Sequence, residues 1–494
     1  MKYVRVPREL HTSDVLAEEA CFSPGRYVRF VPPKQKGNSH YVPLDKLVRV
    51  REEAVKIQKG ENYRYAEIGD INVATGSICF REMKGYRLPT QRPARAEKGD
   101  VLISTVRTYR KGIGLVMDNG SDLVTTNAIL NLCAMTDFAP GITLPYVYSF
   151  LRSDFFVEQV WSLLHRGVYP RMDTGALGKI SIPLADDKDV CAYVAALALA
   201  IAEKDRAIRL RNDEINARIE TELAANQTGK AFQYSYPSFD EVRSTLRFDA
   251  GIYSEIFKRE QHKITSYRRG WANYQQLGFA IGRGQNLQLS CIGHSVYSDT
   301  PKPNFYRMVA PTDISEFRTV EAFRYLGNQR DLDLVKRGDV IFGAEGFCKG
   351  RCVILVDEQQ RTISNIHGVV FHPLDGSMTR GIFLGCFLGY LRNVGIVDAI
   401  GAGGSGGSLA IGYLDQVPIP RFPDDIQEQI ARLYHNSAPA PARNATLANF
   451  LAWHREWNEG LGIWELDREL KALQRTLGEV QEQIIEGLTV KIPI

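Results

Sequence analysis

The sequence predicts an α+β protein: two mixed α/β domains in tandem repeat, separated by long helices that form an antiparallel coiled coil. Three observations predict it. Two halves of the chain match in the same order at an offset of about 238 residues. A helical text with heptad spacing follows each half. The 494 residues, 44% apolar and 24% charged, exceed what one ordinary core holds, so two or more domains are expected.

The repeat begins with KGDVLIS from Lys98, matched by RGDVIFG from Arg337. A Lys-Gly pair follows each, Lys111-Gly112 and Lys349-Gly350, leading into GIGLVMD and GRCVILVD. Each copy reads as a β-hairpin: Gly-Asp turns into the first strand, apolar runs form two buried strands, and Lys-Gly closes the second turn. TTNAIL from Thr125 then matches ISNIHGVV from Ile363, and ISIPL from Ile180 matches VPIPR from Val417. CFSPGRY from Cys21 and RFDAGIY from Arg247 are a weaker echo. Gly-Asp and Lys-Gly are ordinary turn dipeptides, so the argument for duplication is the collinearity of the matches.

Asp186-Asp187 and Asp424-Asp425 stand at N-cap positions after each half. From Asp187 to about Gln227 no Gly or Pro occurs; Val194, Ile201, Ile208 and Ile215 recur every seven residues, broadened by Leu197 and Ile219. Near the C-terminus Leu466, Leu470, Leu473, Leu477, Val480, Ile484 and Leu488 repeat at spacings of four and three. Two such helices after two copies of one domain are expected to pair antiparallel. At a rise of about 1.5 Å per residue the central helix would hold the domains on the order of 50 Å apart, beyond one turn of B-DNA at about 34 Å. The expected domains are 1–187, a central helix 188–228, 229–423, and a distal helical region 424–494. SAPAPARNA from Ser437 interrupts the second helix, and Trp453, Trp457 and Trp464 follow it; these rings either pack internally or cover the coiled-coil end or a partner contact.

No charged leader with an apolar core opens the sequence, and the longest apolar stretch, Ala192 to Ala202, is far short of a membrane span. A cytoplasmic protein without membrane contact is expected. The eight cysteines are scattered, and Cys348 and Cys352 lack a second ligand pair, so reduced structural thiols and no metal are expected. A net charge of +4 does not announce a nucleic-acid binder; a DNA case must rest on local distribution.

KGDVLIS with TTNAIL, RGDVIFG with ISNIHGVV, the IPL and IPR strand endings, and a long helix after each copy together resemble the specificity subunits of type I restriction-modification systems, over nearly the whole chain. The resemblance implies a non-catalytic subunit without a cofactor of its own, each globular half reading part of a bipartite, asymmetric sequence in double-stranded DNA. It implies helices that dock two adenine-N6 methyltransferase subunits, which bring S-adenosylmethionine, and an ATP-dependent motor-nuclease subunit as a further partner. The broken C-terminal helix and the tract 240–302 depart from the family's pattern and leave room for a related phage-defence complex.

Base reading needs a few side chains on loops that enter the major groove, and phosphate contacts need cations beside them. In the first half Arg107, Tyr109, Arg110 and Lys111 occupy the hairpin turn, and HRGVYPR supplies His165, Arg166, Tyr169 and Arg171. In the second half the turn is AEGFCKGR, with Glu345, Lys349 and Arg351, and GAGGSGGS, with Ser405 and Ser408, replaces the basic loop. Arginine favours guanine O6 and N7 while glutamate accepts from cytosine N4, so two different half-sites are expected rather than a palindrome. The Gly/Ser run lacks the lysine and order of a phosphate loop; it either lets backbone approach DNA or is a mobile loop.

An enzyme reading has little to stand on. The only Pro-Pro, Pro32-Pro33, lies between Val31 and Lys34 and does not make a methyltransferase catalytic motif. Asp70 with Glu82-Met83-Lys84 has the spacing of a magnesium-dependent nuclease, but REMKGYR reads as a turn and has no counterpart in the second half. A metal-dependent DNA nuclease and a non-catalytic scaffold of a defence complex remain the alternatives.

Overall fold

The computed structural model describes residues 2–17, 27–90, 92–135, 142–163, 171–357, 361–403 and 407–493. The chain forms two compact units, one of Met1–Arg206, Pro439–Glu459 and Arg468–Ile494, the other of Ala207–Ala438 and Gly460–Asp467.

In the first unit β1 (Ser39–Pro43), β2 (Val48–Val50), β3 (Asn62–Ala66), β4 (Arg81–Lys84), β5 (Ala94–Arg95), β6 (Val101–Ser104), β7 (Ile113–Leu115), β8 (Leu123–Thr125), β9 (Ile129–Ala134) and β10 (Ser181–Ala185) build two four-stranded sheets, β2-β9-β6-β7 and β4-β3-β8-β5, and the pair β10-β1. The β6–β7 hairpin pairs Val101 with Leu115 and Ile103 with Ile113. Its strands are buried throughout, as continuous apolar runs demand. The residues 81–84, expected as a turn, are instead strand β4, because they pair with β3 through Arg64↔Glu82 and Tyr65↔Arg81.

The second unit repeats this plan with β11 (Trp271–Ala272), β12 (Phe279–Arg283), β13 (Ser295–Ser298), β14 (Tyr306–Val309), β15 (Arg324–Asn328), β16 (Val340–Gly343), β17 (Cys352–Ile354), β18 (Thr362–Ser364), β19 (Gly368–Pro373) and β20 (Ile419–Pro420). Sheet β12-β19-β16-β17 matches β2-β9-β6-β7 strand for strand, and β11-β20 matches β1-β10. The parallel pair β3–β8 recurs as β14–β18. Even the bracing ion pairs recur: Arg64 forks onto Asp122 and Arg307 onto Asp357.

The Gly-Asp turn has one mechanism in both copies. Gly99 at φ 92° and Gly338 at φ 88° take a left-handed conformation that side chains disfavour. The following aspartate folds back to accept the backbone N–H three residues earlier, Glu97 for Asp100 at 2.9 Å and Lys336 for Asp339 at 2.7 Å. Arg51 then forks onto Asp100, whereas His372 faces Asp339 at 2.5 Å.

Helix α1 (Lys188–Ala225) is 38 residues long, followed by α2 (Asp424–Tyr434), α3 (Phe450–Gly460) and α4 (Ile463–Ile485). Ile201, Ile208, Ile215, Leu466, Leu470, Val480 and Ile484 are buried, while Leu473 and Leu477 are half-buried. Within the first unit α4 runs antiparallel to α1. Ser39, paired with Ala185 just before α1, donates to the Ile484 carbonyl at 2.6 Å, and Lys204 further along α1 feels Glu469 near the other end of α4. Within the second unit α2 lies along the later part of α1, with Arg218 donating to Gln429 at 2.8 Å.

The distal helical region is broken twice, at 435–449, which holds the interruption after Ser437, and at 461–462. In the second unit the Gly462 N–H donates to the Asn436 carbonyl at 3.1 Å, and Asn436 donates from its side chain to Gly460. In the first unit α3 lies along α1, with Tyr193 edge-on to Phe450 and Glu203 paired to Arg455. Trp453 and Trp457 are half-buried; Trp453 donates to the Arg443 carbonyl at 2.9 Å, and Trp457 lies 5.1 Å from the Lys204 ammonium. Trp464 stands edge-on to His435. Among the described residues no helix is long and apolar enough to cross a membrane, and every cysteine is free.

Candidate nucleic-acid interface

The hairpin turn and the loop before the closing strand meet in each unit. Val106 forms a β-bridge with Arg171 and Glu345 forms one with Ser408. The next backbone bond is identical: Met172 N–H donates to the Thr105 carbonyl and Leu409 N–H to the Ala344 carbonyl, each at 2.8 Å. Arg171 and Ser408 are therefore structural equivalents. His165, Arg166, Tyr169 and Ser405 lie outside the described residues.

The turn register differs from the Lys-Gly alignment by one residue. Ser104 N–H bonds the Gly112 carbonyl and Gly343 N–H bonds that of Arg351, which makes Gly350 the counterpart of Lys111 rather than of Gly112. Backbone conformation agrees. Arg107 and Lys111 are left-handed at φ 51° and 61°, as are Gly346 and Gly350 at 70° and 80°. Hydrogen-bonded strand positions set the register, whereas a shared dipeptide in a turn does not.

In the first unit the turn is cationic and open. Arg110 is exposed on its 3-10 turn, Arg107 and Tyr109 are half-buried, and Arg171 is exposed beside them. Tyr109 sits edge-on to Trp161 at 5.0 Å, which holds the turn against the helix Asp154–Leu163. Lys111 pairs with Asp154 at 2.6 Å, so part of its charge is spent within the protein.

The second unit presents different chemistry. Glu345 is braced by His367, whose Nδ1 lies 2.6 Å from Oε2, and by Arg283 at 3.6 Å. Arg283 also donates to the carbonyls of Ile366 and Leu409. Phe347 stands 87% exposed at the apex. Two expected contacts turn inward. Lys349 is buried, its ammonium beside Gly401 and Gly407 and 3.4 Å from Asp398, and half-buried Arg351 donates to the Ile314 carbonyl at 2.8 Å. Both support the loop from below. The sequence reading missed Arg283, Phe347 and His367; His367 stands inside the matched ISNIHGVV segment, but only strand pairing carries it to Glu345.

Asp70 is committed elsewhere: its carboxylate accepts Arg81 at 2.8 and 3.2 Å and the Glu67 N–H at 2.9 Å. Among the described residues no group of three or more His, Cys, Asp or Glu side chains is placed to hold a metal ion.

No family model and no curated protein matches the chain. Three solved structures are similar to it over nearly its whole length. One, described as the structural basis of complex assembly and conformational transition of the type I R-M system, is 16% identical, covers 92% of this chain and 100% of that one, and has a TM-score of 0.33. The HsdS subunit from Thermoanaerobacter tengcongensis is 17% identical over 92% and 98%, with a TM-score of 0.30. The type I restriction-modification S subunit from M. genitalium is 12% identical over 93% and 98%, with a TM-score of 0.40. The functional reading rests on the interface geometry.

Proposed function

We propose that the chain is the sequence-specific DNA-recognition subunit of a type I restriction-modification or related phage-defence complex. The observation that carries this reading is the duplicated pairing of hairpin turn and closing loop, Val106 with Arg171 and Glu345 with Ser408, on one scaffold with two different chemistries. A scaffold kept while its tips diverge is what reading two unlike half-sites requires. Arg107, Tyr109, Arg110, Lys111, Arg166, Tyr169 and Arg171 make the first set, favouring guanine edges and phosphates. Glu345, Ser405 and Ser408 make the second, with Lys349 and Arg351 fixing its loop. A helix of 38 residues reaches about 57 Å, more than a turn of B-DNA at about 34 Å, which suits a bipartite site with unread bases between its halves. The long helices dock two adenine-N6 methyltransferase subunits, which carry S-adenosylmethionine, and an ATP-dependent motor-nuclease subunit completes the restricting complex.

A modified-base map of the source genome, with and without this chain and with its neighbours intact, tests the proposal. The expected result is loss of adenine methylation at one split, asymmetric motif. An unchanged map overturns the reading.

A further inference from the structure

Phe347 is the apolar feature at the apex of the second unit's turn, with 87% of its surface in water. Its exposure is not that of a loose end. The turn Gly346–Cys348 is closed by Lys349 N–H on the Gly346 carbonyl at 3.1 Å and tied to the neighbouring loop by Gly346 N–H on the Gly407 carbonyl at 3.1 Å. The left-handed residues Gly346 and Gly350 flank it, and buried Lys349 fills the space beneath. A large apolar side chain held in water by a braced turn forgoes the burial that phenylalanine ordinarily finds. The equivalent position in the first unit, between left-handed Arg107 and Lys111, is Thr108, which is wholly buried. The feature therefore belongs to one half-site.

The neighbours identify the groove and the base. Glu345 and Ser408 lie opposite one another beside the turn, and the Glu345 carboxylate only accepts hydrogen bonds. In the major groove it meets the exocyclic amines of cytosine N4 or adenine N6; in an A·T minor groove it would face only acceptors. An aromatic wedge inserted from the minor groove at A·T steps would carry that carboxylate into repulsion. The apolar feature on the floor of the major groove is the thymine 5-methyl group. We propose that Phe347 packs against a thymine methyl in the half-site read by the second unit, next to the base whose amine Glu345 accepts. This rests on the DNA-recognition reading above.

The experiment measures the affinity of the DNA-binding complex containing the full chain for duplexes bearing its methylation motif. Each thymine of the second half-site is replaced in turn by deoxyuracil, which removes only the methyl. Burying one such carbon implies a loss of about fourfold at one thymine. Phe347→Ala is expected to lose a similar factor on the thymine duplex and to become indifferent to that replacement, while Phe347→Leu retains part of the discrimination. The variants replace an exposed side chain, so their thermal midpoints should match wild type. The contact is overturned if uracil is tolerated at every position, if Phe347→Ala still discriminates, or if that half of the motif contains no thymine. Loss of subunit assembly without change in base preference would place Phe347 at a protein surface instead. If the wild type prefers no split site at all, the recognition reading fails and this contact with it.

Discussion

Lys204 donates to Asn458 Oδ1 at 2.6 Å from a side chain wholly out of water. Burial pushes its ammonium down to about 8, against the pull of Glu469. Beside it burial, reinforced by the Lys204 charge, pushes His454 down to about 4. Both groups bind protons more readily unfolded, so their contribution to stability rises with pH, between about 4 and 6.5 for His454 and between about 8 and 10.5 for Lys204. Acidification from pH 7 to 5 is expected to loosen α3 from α1, seen as red-shifted emission from Trp453 and Trp457 and faster amide exchange in α3. Lys204→Met should raise the midpoint at pH 7 and leave only the His454 dependence. A thermal midpoint flat from pH 5 to 9 would refute the account.

Arg110 and Arg171, both exposed beside the first turn, are expected to act through charge on DNA. Each replacement by alanine should reduce the slope of log affinity against log salt by about 0.9 if the contact is to phosphate. A residue that reads guanine should instead relax one base of the first half-site by about 1–3 kcal/mol. Lys111, already paired with Asp154, should show the smaller effect. Salt titrations with unchanged slopes for both arginines would remove them from the interface.

How much of this was legible follows from where side chains carry their own periodicity. The hairpins were readable because β6 and β16 are buried along their whole length, and such strands are continuous apolar text. The seam was readable because Ile201, Ile208 and Ile215 face inward at every second turn. The one-residue register difference at Lys111 and Gly350 was not, since a turn's alignment depends on φ and hydrogen bonds rather than residue names. Lys349 reads as surface charge in sequence, but the chain brings Gly401 and Gly407 against its ammonium. Arg283 and His367 meet at Glu345 only through sheet pairing across more than eighty positions, which no local pattern encodes.

Ile484 closes the first unit's core where α4 meets the start of α1, with Val480 and Ile485 buried beside it. Ile484→Ala removes fully packed methylene and methyl groups, and a cost of about 2–5 kcal/mol is expected. Hydrogen exchange should show the loss concentrated in α4 and the β1–β10 pair, because the Ile484 carbonyl accepts from Ser39. Exchange that quickens only in the second unit would contradict this placement.

The Gly/Ser loop of the second unit offers the sharpest separation of fold from recognition. At Gly401 an added β-carbon would lie 2.3 Å from the Lys349 ammonium, and φ there is −62°, so Gly401→Ala strains a contact rather than the backbone. The lysine side chain must shift, and because it is buried beneath the turn that carries Glu345 and Phe347, the turn is expected to lose part of its support. Lys349→Met keeps most of the volume and removes the charge facing Asp398, so it should disturb the turn less. The expected outcome for Gly401→Ala is a methylation motif whose second half becomes degenerate while its first half, set by a separate turn in the other unit, is preserved. Loss of both halves together would mean that the substitution unfolds the chain, which a thermal midpoint would reveal. A motif intact in both halves would show that the loop does not position the reading residues.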